Sequence, residues 1–97
     1  MTQVQLIARH TIQRGREQEV LSLLSEFIEA ARAEPGNLAF DAYRKIGDER
    51  NYVLLERYAS AEALAAHRET RHFTEVLLGQ IVPLLDGRAI EEYDVPD

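Results

Sequence analysis

The chain has 97 residues, 45% of them hydrophobic and 29% charged, with a net charge of −6 and no cysteine. A length of this order makes one domain, residues 1–97, which buries only about 60–65% of the surface its unfolded form exposes, so its stability is expected to lean on a partner. The acidic balance disfavours nucleic acid and anionic membrane as partners, and the missing cysteines exclude disulfides, thiolate catalysis and zinc–thiolate sites.

In chain order, Val4, Leu6 and Ala8 alternate with Gln5, Ile7 and Arg9, the two-residue period of a strand over about residues 3–11. Met1 thus leads straight into a strand pattern, and no apolar run reaches the length of a membrane span, so the expected location is cytoplasmic. From Arg16 the spacing changes: Val20, Leu23, Leu24, Phe27, Ile28 and Ala31 form one helical stripe, while Glu17, Glu19, Glu26, Glu29 and Arg32 form a solvated face. Pro35-Gly36 ends that helix, because proline disfavours helical geometry in the residue before it and glycine accepts a chain reversal.

Asn37 to Lys45 alternates again, with Leu38, Phe40 and Ala42 on one face and Asn37, Ala39, Asp41 and Tyr43 on the other. Gly47-Asp48 signals a turn, and Tyr52 to Ala59 returns as an antiparallel strand. Its faces are Tyr52, Leu54, Glu56 and Tyr58 against Val53, Leu55 and Arg57. Ser60 can cap a helix carrying Glu62 in its first turn and His67 in its second. A kink is expected near Thr70, which can cap a second piece bearing Phe73, Val76, Leu77, Ile81 and Leu84 and ending at Pro83. Ala89 to Asp94 alternates as a last strand, and Val95-Pro96-Asp97 reads as a tail.

The order β-α-β-β-α-β predicts an α+β, ferredoxin-like fold: a four-stranded antiparallel sheet with both helical regions on one face. Ile7, Val53, Leu55 and Ile90 are then expected on the bare face, which a second copy of the chain would cover.

The ionisable candidates gather where the third strand meets the second helical region. Glu56 sits among large apolar side chains, where desolvation raises a carboxyl pKa unless a partner opposes it. His67 has the ordinary pKa suited to proton transfer near neutral pH; its other role is a buried histidine bonded to a backbone carbonyl. Asn37 is a turn amide or a pocket amide holding a ligand oxygen. Among the tyrosines, only Tyr58 lies beside the junction. His72 reads first as a surface residue, then as a cap partner or pocket base. The histidines at positions 10, 67 and 72 have no metal-binding spacing and no carboxylate completing a set; no glycine-rich phosphate cradle occurs either. No metal or cofactor is therefore expected.

Glu56-x-Tyr58, then His67, then His72-Phe73, preceded by Glu34-Pro35-Gly36-Asn37, resembles the antibiotic biosynthesis monooxygenase (ABM) family of dimeric α+β barrels. The resemblance runs from about Val4 to Tyr93 and implies a homodimeric α/β barrel with a pocket between sheet and helices in each subunit. It also implies a monooxygenase that needs neither metal nor flavin, acting with O2 on a quinol-like or polycyclic phenolic substrate. His67, Tyr58 and Asn37 would then be the catalytic residues, and Glu56, Phe40, His72 and Phe73 would bind the aromatic substrate. The haem-degrading relatives use a tryptophan and a first-strand asparagine; this chain has no tryptophan and offers Gln3 and Gln5 there, which disfavours haem degradation. Two other functions stay open: an isomerase or other proton-transfer enzyme on a small carbonyl compound, and a non-catalytic dimeric small-molecule binder.

Overall fold

The computed structural model describes residues 2–96. Its elements are β1 (Thr2–Ile12), α1 (Glu17–Arg32), β2 (Asn37–Lys45), β3 (Asp48–Tyr58), α2 (Ala61–Arg68), a helical segment α3 (His72–Ile81), a 3₁₀ turn (Val82–Leu84) and β4 (Leu85–Pro96). The strands form one antiparallel sheet in the order β2-β3-β1-β4, the ferredoxin-like arrangement. No helix among the described residues is long and apolar enough to cross a membrane.

The period-two pattern sets the faces. Val4, Leu6, Ala8, His10 and Ile12 of β1 and Tyr52, Leu54, Glu56 and Tyr58 of β3 are all buried on the side that carries the helices. Val20, Leu24, Phe27 and Ala31 of α1 pack onto that side with Phe40, Leu77 and Ile81. A second, smaller cluster joins Val4, Leu6, Tyr58 and Leu64. Phe27 meets Phe40 edge-on, ring centroids 5.6 Å apart.

Several expectations need correction. Ile90 pairs with Ala8, so it shares the helix side of the sheet; Ile7, Val53 and Leu55 do lie on the opposite face. Leu38 falls in a register shift between Asn37 and Ala39 and is exposed instead of joining Phe40. The hairpin turn is Ile46-Gly47, with Gly47 at φ +81°, and Asp48 already pairs with Lys45, so β3 starts earlier than its apolar pattern. Likewise β4 extends at both ends: Val95 and Pro96 pair with Gln3 and Thr2 instead of forming a tail, and Asp97 lies outside the described residues.

The break near Thr70 is present. Thr70 Oγ1 donates to the His67 carbonyl (2.7 Å) and accepts from Phe73 N–H (3.2 Å), closing α2 and opening α3 with one hydroxyl. Unexpectedly, α3 is wound as a π-helix, and its last bond runs from Val82 N–H to the Leu77 carbonyl, five residues back. Such windings are rare and occur mostly as single turns, often at functional sites.

Candidate functional site

The site forms where the two core clusters meet, because β3, α2, α3 and the turn after α1 together deliver Glu56, Tyr58, His67, His72 and Glu34 to an apolar junction. Ser60 Oγ accepts from Ala63 N–H (3.1 Å) and starts α2, whose second turn then places His67 over the sheet. The His67 ring is 2% exposed and ringed by aromatics: Tyr58 and Phe73 at 5.1 and 5.2 Å, Phe27 and Phe40 at 5.9 and 6.1 Å.

Glu34, just beyond the end of α1, supplies the partner. Its carboxylate accepts from His67 Nδ1 (2.8 and 3.0 Å) and from His72 Nε2 (2.6 Å). With the Nδ1–H directed at Glu34, Nε2 of His67 carries the lone pair, and it takes no hydrogen bond among the described residues. Nε2 points at Glu56, 3.9 Å away, too far for a hydrogen bond. Burial, opposed by the bond to Glu34 and its charge, holds the His67 pKa below the ordinary 6.5, so the ring is neutral at pH 7.

Burial also pushes the Glu56 carboxyl up to about 7, against the lowering effect of the Tyr58 hydroxyl, which donates to it at 2.7 Å. The Tyr58 phenol is raised well beyond its ordinary value, first by burial and then by Glu56, so Tyr58 stays protonated and acts as a donor. A cavity of about 30 Å³ lies between these groups and β4, lined among others by Ala8, Leu54, Glu56, His67, Phe73 and Ile90. It has room for about one water molecule.

Of the residues singled out from the sequence, the fold brings His67, Glu56, Tyr58, Phe40, His72 and Phe73 together. His72 is no surface residue: its side chain is 21% exposed and bonded to Glu34. Asn37 stands opposite Tyr58 in the sheet, but its amide donates to the Ala39 carbonyl (3.3 Å) and reaches none of the others. Glu34 was missed as a site residue, although the stripe Val20, Leu24, Phe27, Ala31 lands on position 34 at its next step. Glu34 also corrects the expectation that no carboxylate completes a histidine set. Ligand-type atoms of Glu34, His67 and His72 lie within 4.8 Å of one another. In the arrangement seen, both imidazoles donate protons to that carboxylate, which a metal ion would have to displace.

The sequence profile of antibiotic biosynthesis monooxygenases matches residues 4–77. The chain belongs to that family. The ABM assignment has support from "Putative monooxygenase YcnE" of Bacillus subtilis (strain 168), 36% identical over 58 residues, which are 60% of this chain and 61% of that protein. The match thus spans less than two thirds of YcnE. Among solved structures, Rv0793 from Mycobacterium tuberculosis is similar with a TM-score of 0.87 and 31% identity, covering 98% of this chain and 96% of that one. A crystal structure of an antibiotic biosynthesis monooxygenase gives a TM-score of 0.89 at 27% identity, covering 97% and 99%.

Proposed function

We propose that this ABM protein is a monooxygenase that takes only O2 and an electron-rich phenolic substrate, a quinol or polycyclic phenol. The observation that carries this reading is His67: a buried, neutral imidazole with Nδ1 fixed by Glu34 and Nε2 free on the side of Glu56 and the cavity. Such a ring takes the phenolic proton, and Glu34 stabilises the imidazolium that results. The phenolate, through its ring carbon, then reduces O2. A hydroperoxide forms on that carbon, a C–H bond is lost from it, and water leaves to give a carbonyl. One oxygen atom enters the product and the other departs as water, with all electrons from the substrate. Tyr58 and Glu56 hold the polar wall, while Phe40 and Phe73 flank the His67 ring.

A ring needs more than about 30 Å³, so substrate entry requires movement at the mouth, where Arg68 of α2 pairs with Glu92 of β4 at 3.4 Å across an exposed gap. The same small volume favours a second reading, proton transfer on a small carbonyl compound by His67 and Glu56. Oxygen uptake with a panel of quinols separates the two: uptake that depends on His67 supports the oxygenase. Deuterium exchange into a small ketone without oxygen uptake supports the other.

In either case we infer a homodimer, packed through the sheet face that presents Ile7, Val53 and a Leu55 that is 37% exposed.

A further inference from the structure

His10 is 1% exposed, on the helix side of β1, and lines the same cavity as His67. Its Nδ1 is 2.6 Å from the Tyr52 hydroxyl. With Tyr52 O–H donating to Nδ1 only one group is left unpaired, whereas the reverse direction would leave the hydroxyl proton unpaired as well as Nε2, so Nδ1 accepts and the ring proton sits on Nε2. That Nε2 is fully buried and has no hydrogen-bond partner. Such an orphaned donor costs stability, on the order of 1–3 kcal/mol in general, and calls for an explanation.

The neighbours supply one. Tyr52 and Arg88 flank His10 in the sheet, on β3 and β4 respectively. Nδ1 is taken by Tyr52 and Nε2 is sealed from solvent, while His10 and Arg88 both line the cavity, so Nε2 is reached only when the pocket opens to admit a ligand. Arg88 makes no hydrogen bond or ion pair among the described residues, and it reaches the cavity from the exposed edge strand β4. This second polar end is four residues along the strand from Glu56, about 13 Å between Cα atoms. Ala8, Leu54 and Ile90 form an apolar floor between the two ends, and Phe73 and Leu77 line the cavity as well.

We propose that His10 Nε2–H and the Arg88 guanidinium bind a negatively charged substrate oxygen, so that the pocket takes a flat ring bearing oxygen functions at both ends. The substrate class is thereby narrowed to quinols and polyhydroxylated phenols with a second, ionised oxygen across the ring from the one facing His67. This rests on the reading of the pocket as a phenol site. Two cationic or donor groups at one end also orient the ring, so only the hydroxyl at the other end meets the base.

The test uses two redox-stable probes, 2-hydroxy-1,4-naphthoquinone, an anion at neutral pH, and uncharged 1,4-naphthoquinone, titrated calorimetrically into the full chain. Wild-type protein is expected to prefer the anion. Arg88→Met, on the edge strand, and His10→Asn, which keeps an acceptor for Tyr52 but removes the far donor, should each weaken anion binding on the order of tenfold or more. Binding of the neutral quinone should change far less, and His10→Gln, which restores a donor near the Nε2 position, should recover part of the loss. Equal losses for both probes, unchanged anion binding in Arg88→Met, or no binding of the anion to wild type overturns the proposal. Oxygen uptake with quinols is scored separately: charge-dependent binding without uptake retains the subsite and removes the oxygenase, whereas uptake without charge-dependent binding does the reverse.

Discussion

Glu34 and His67 are 33 residues apart in the chain, and Glu34 Oε2 accepts a hydrogen bond from His67 Nδ1 at 2.8 Å. The bond fixes one tautomer of a ring that is otherwise surrounded by aromatic side chains, and it leaves Nε2 as the nitrogen with the free lone pair. Because the same oxygen also accepts from His72 Nε2, the carboxylate is held from two sides and cannot swing away with the end of α1.

Glu34→Gln keeps an acceptor for Nδ1 but removes the charge that stabilises a protonated His67. Turnover on an accepted quinol is expected to fall by about tenfold to a hundredfold with little change in KM, the pattern for an interaction that strengthens in the transition state. A rise in KM at unchanged kcat would place Glu34 in substrate binding instead.

Glu56 gives a pH-dependent stability with a definite sign. Its carboxyl ionises near 4.5 in the unfolded chain and near 7 in the fold. Below the first value both states hold the proton. Between the two, only the unfolded chain releases it, so stability falls as pH rises, and above 7 the full deficit remains. Glu56→Gln preserves an acceptor for Tyr58 and removes the deficit. Compared with wild type, thermal unfolding should show no gain near about pH 4 and the largest gain near about pH 8, at most about 3 kcal/mol. A constant difference across that range would mean that Glu56 is not shifted by burial.

Gly36 fixes the approach of α2 to the turn after α1. A Cβ built there would lie 2.4 Å from Ala63 Cβ, and the Gly36 carbonyl accepts from Ala59 N–H at 2.9 Å. Gly36→Ala should therefore force α2 outward and cost about 1–3 kcal/mol in denaturant unfolding. Since α2 carries His67, activity should fall as well; an unperturbed variant would show that α2 floats freely over the turn.

How much of this was legible in the residues differs by element. The helix side of β1 and β3 followed from strict alternation, and Glu56 and His67 followed from their places on it and on α2. The face of Ile90 is not legible because β4 alternates polar and apolar residues weakly, and only pairing with Ala8 reveals it. Asp48 reads as turn and Val95 as tail in the sequence because their strands are held there by backbone pairing, which side-chain pattern does not encode. The π winding of α3 left no signal, since its apolar spacing also fits an α-helix. Glu34 was hidden in a Pro-Gly turn, where carboxylates are ordinary. His10 gives no signal of its own in the sequence because its neighbours, Tyr52 and Arg88, come from strands distant in sequence.

The sheet face opposite the helices supports one further test. Leu55 pairs there with Ile7 and Asp41, beside the Arg9–Glu91 ion pair. Light scattering should give twice the chain mass at micromolar concentration, and Leu55→Arg, which buries an unpaired charge in the contact, should shift the protein to monomer at a cost of about 3 kcal/mol or more. A wild-type monomer would remove the homodimer.

The most direct measurement is oxygen uptake by the purified protein with naphthalene-1,4-diol, wild type beside His67→Ala. Uptake above the buffer rate is expected, one O2 per molecule of quinol with water and not peroxide as the second product, and a loss of about a hundredfold or more in a variant that still folds. Wild-type uptake should also fall as pH drops through the lowered pKa of His67, in a site shared with Glu34, His72, Glu56, Tyr58 and Arg68. A His67→Ala variant with wild-type turnover and an unchanged pH profile, or a wild type no faster than buffer, would contradict the proposed oxygenase.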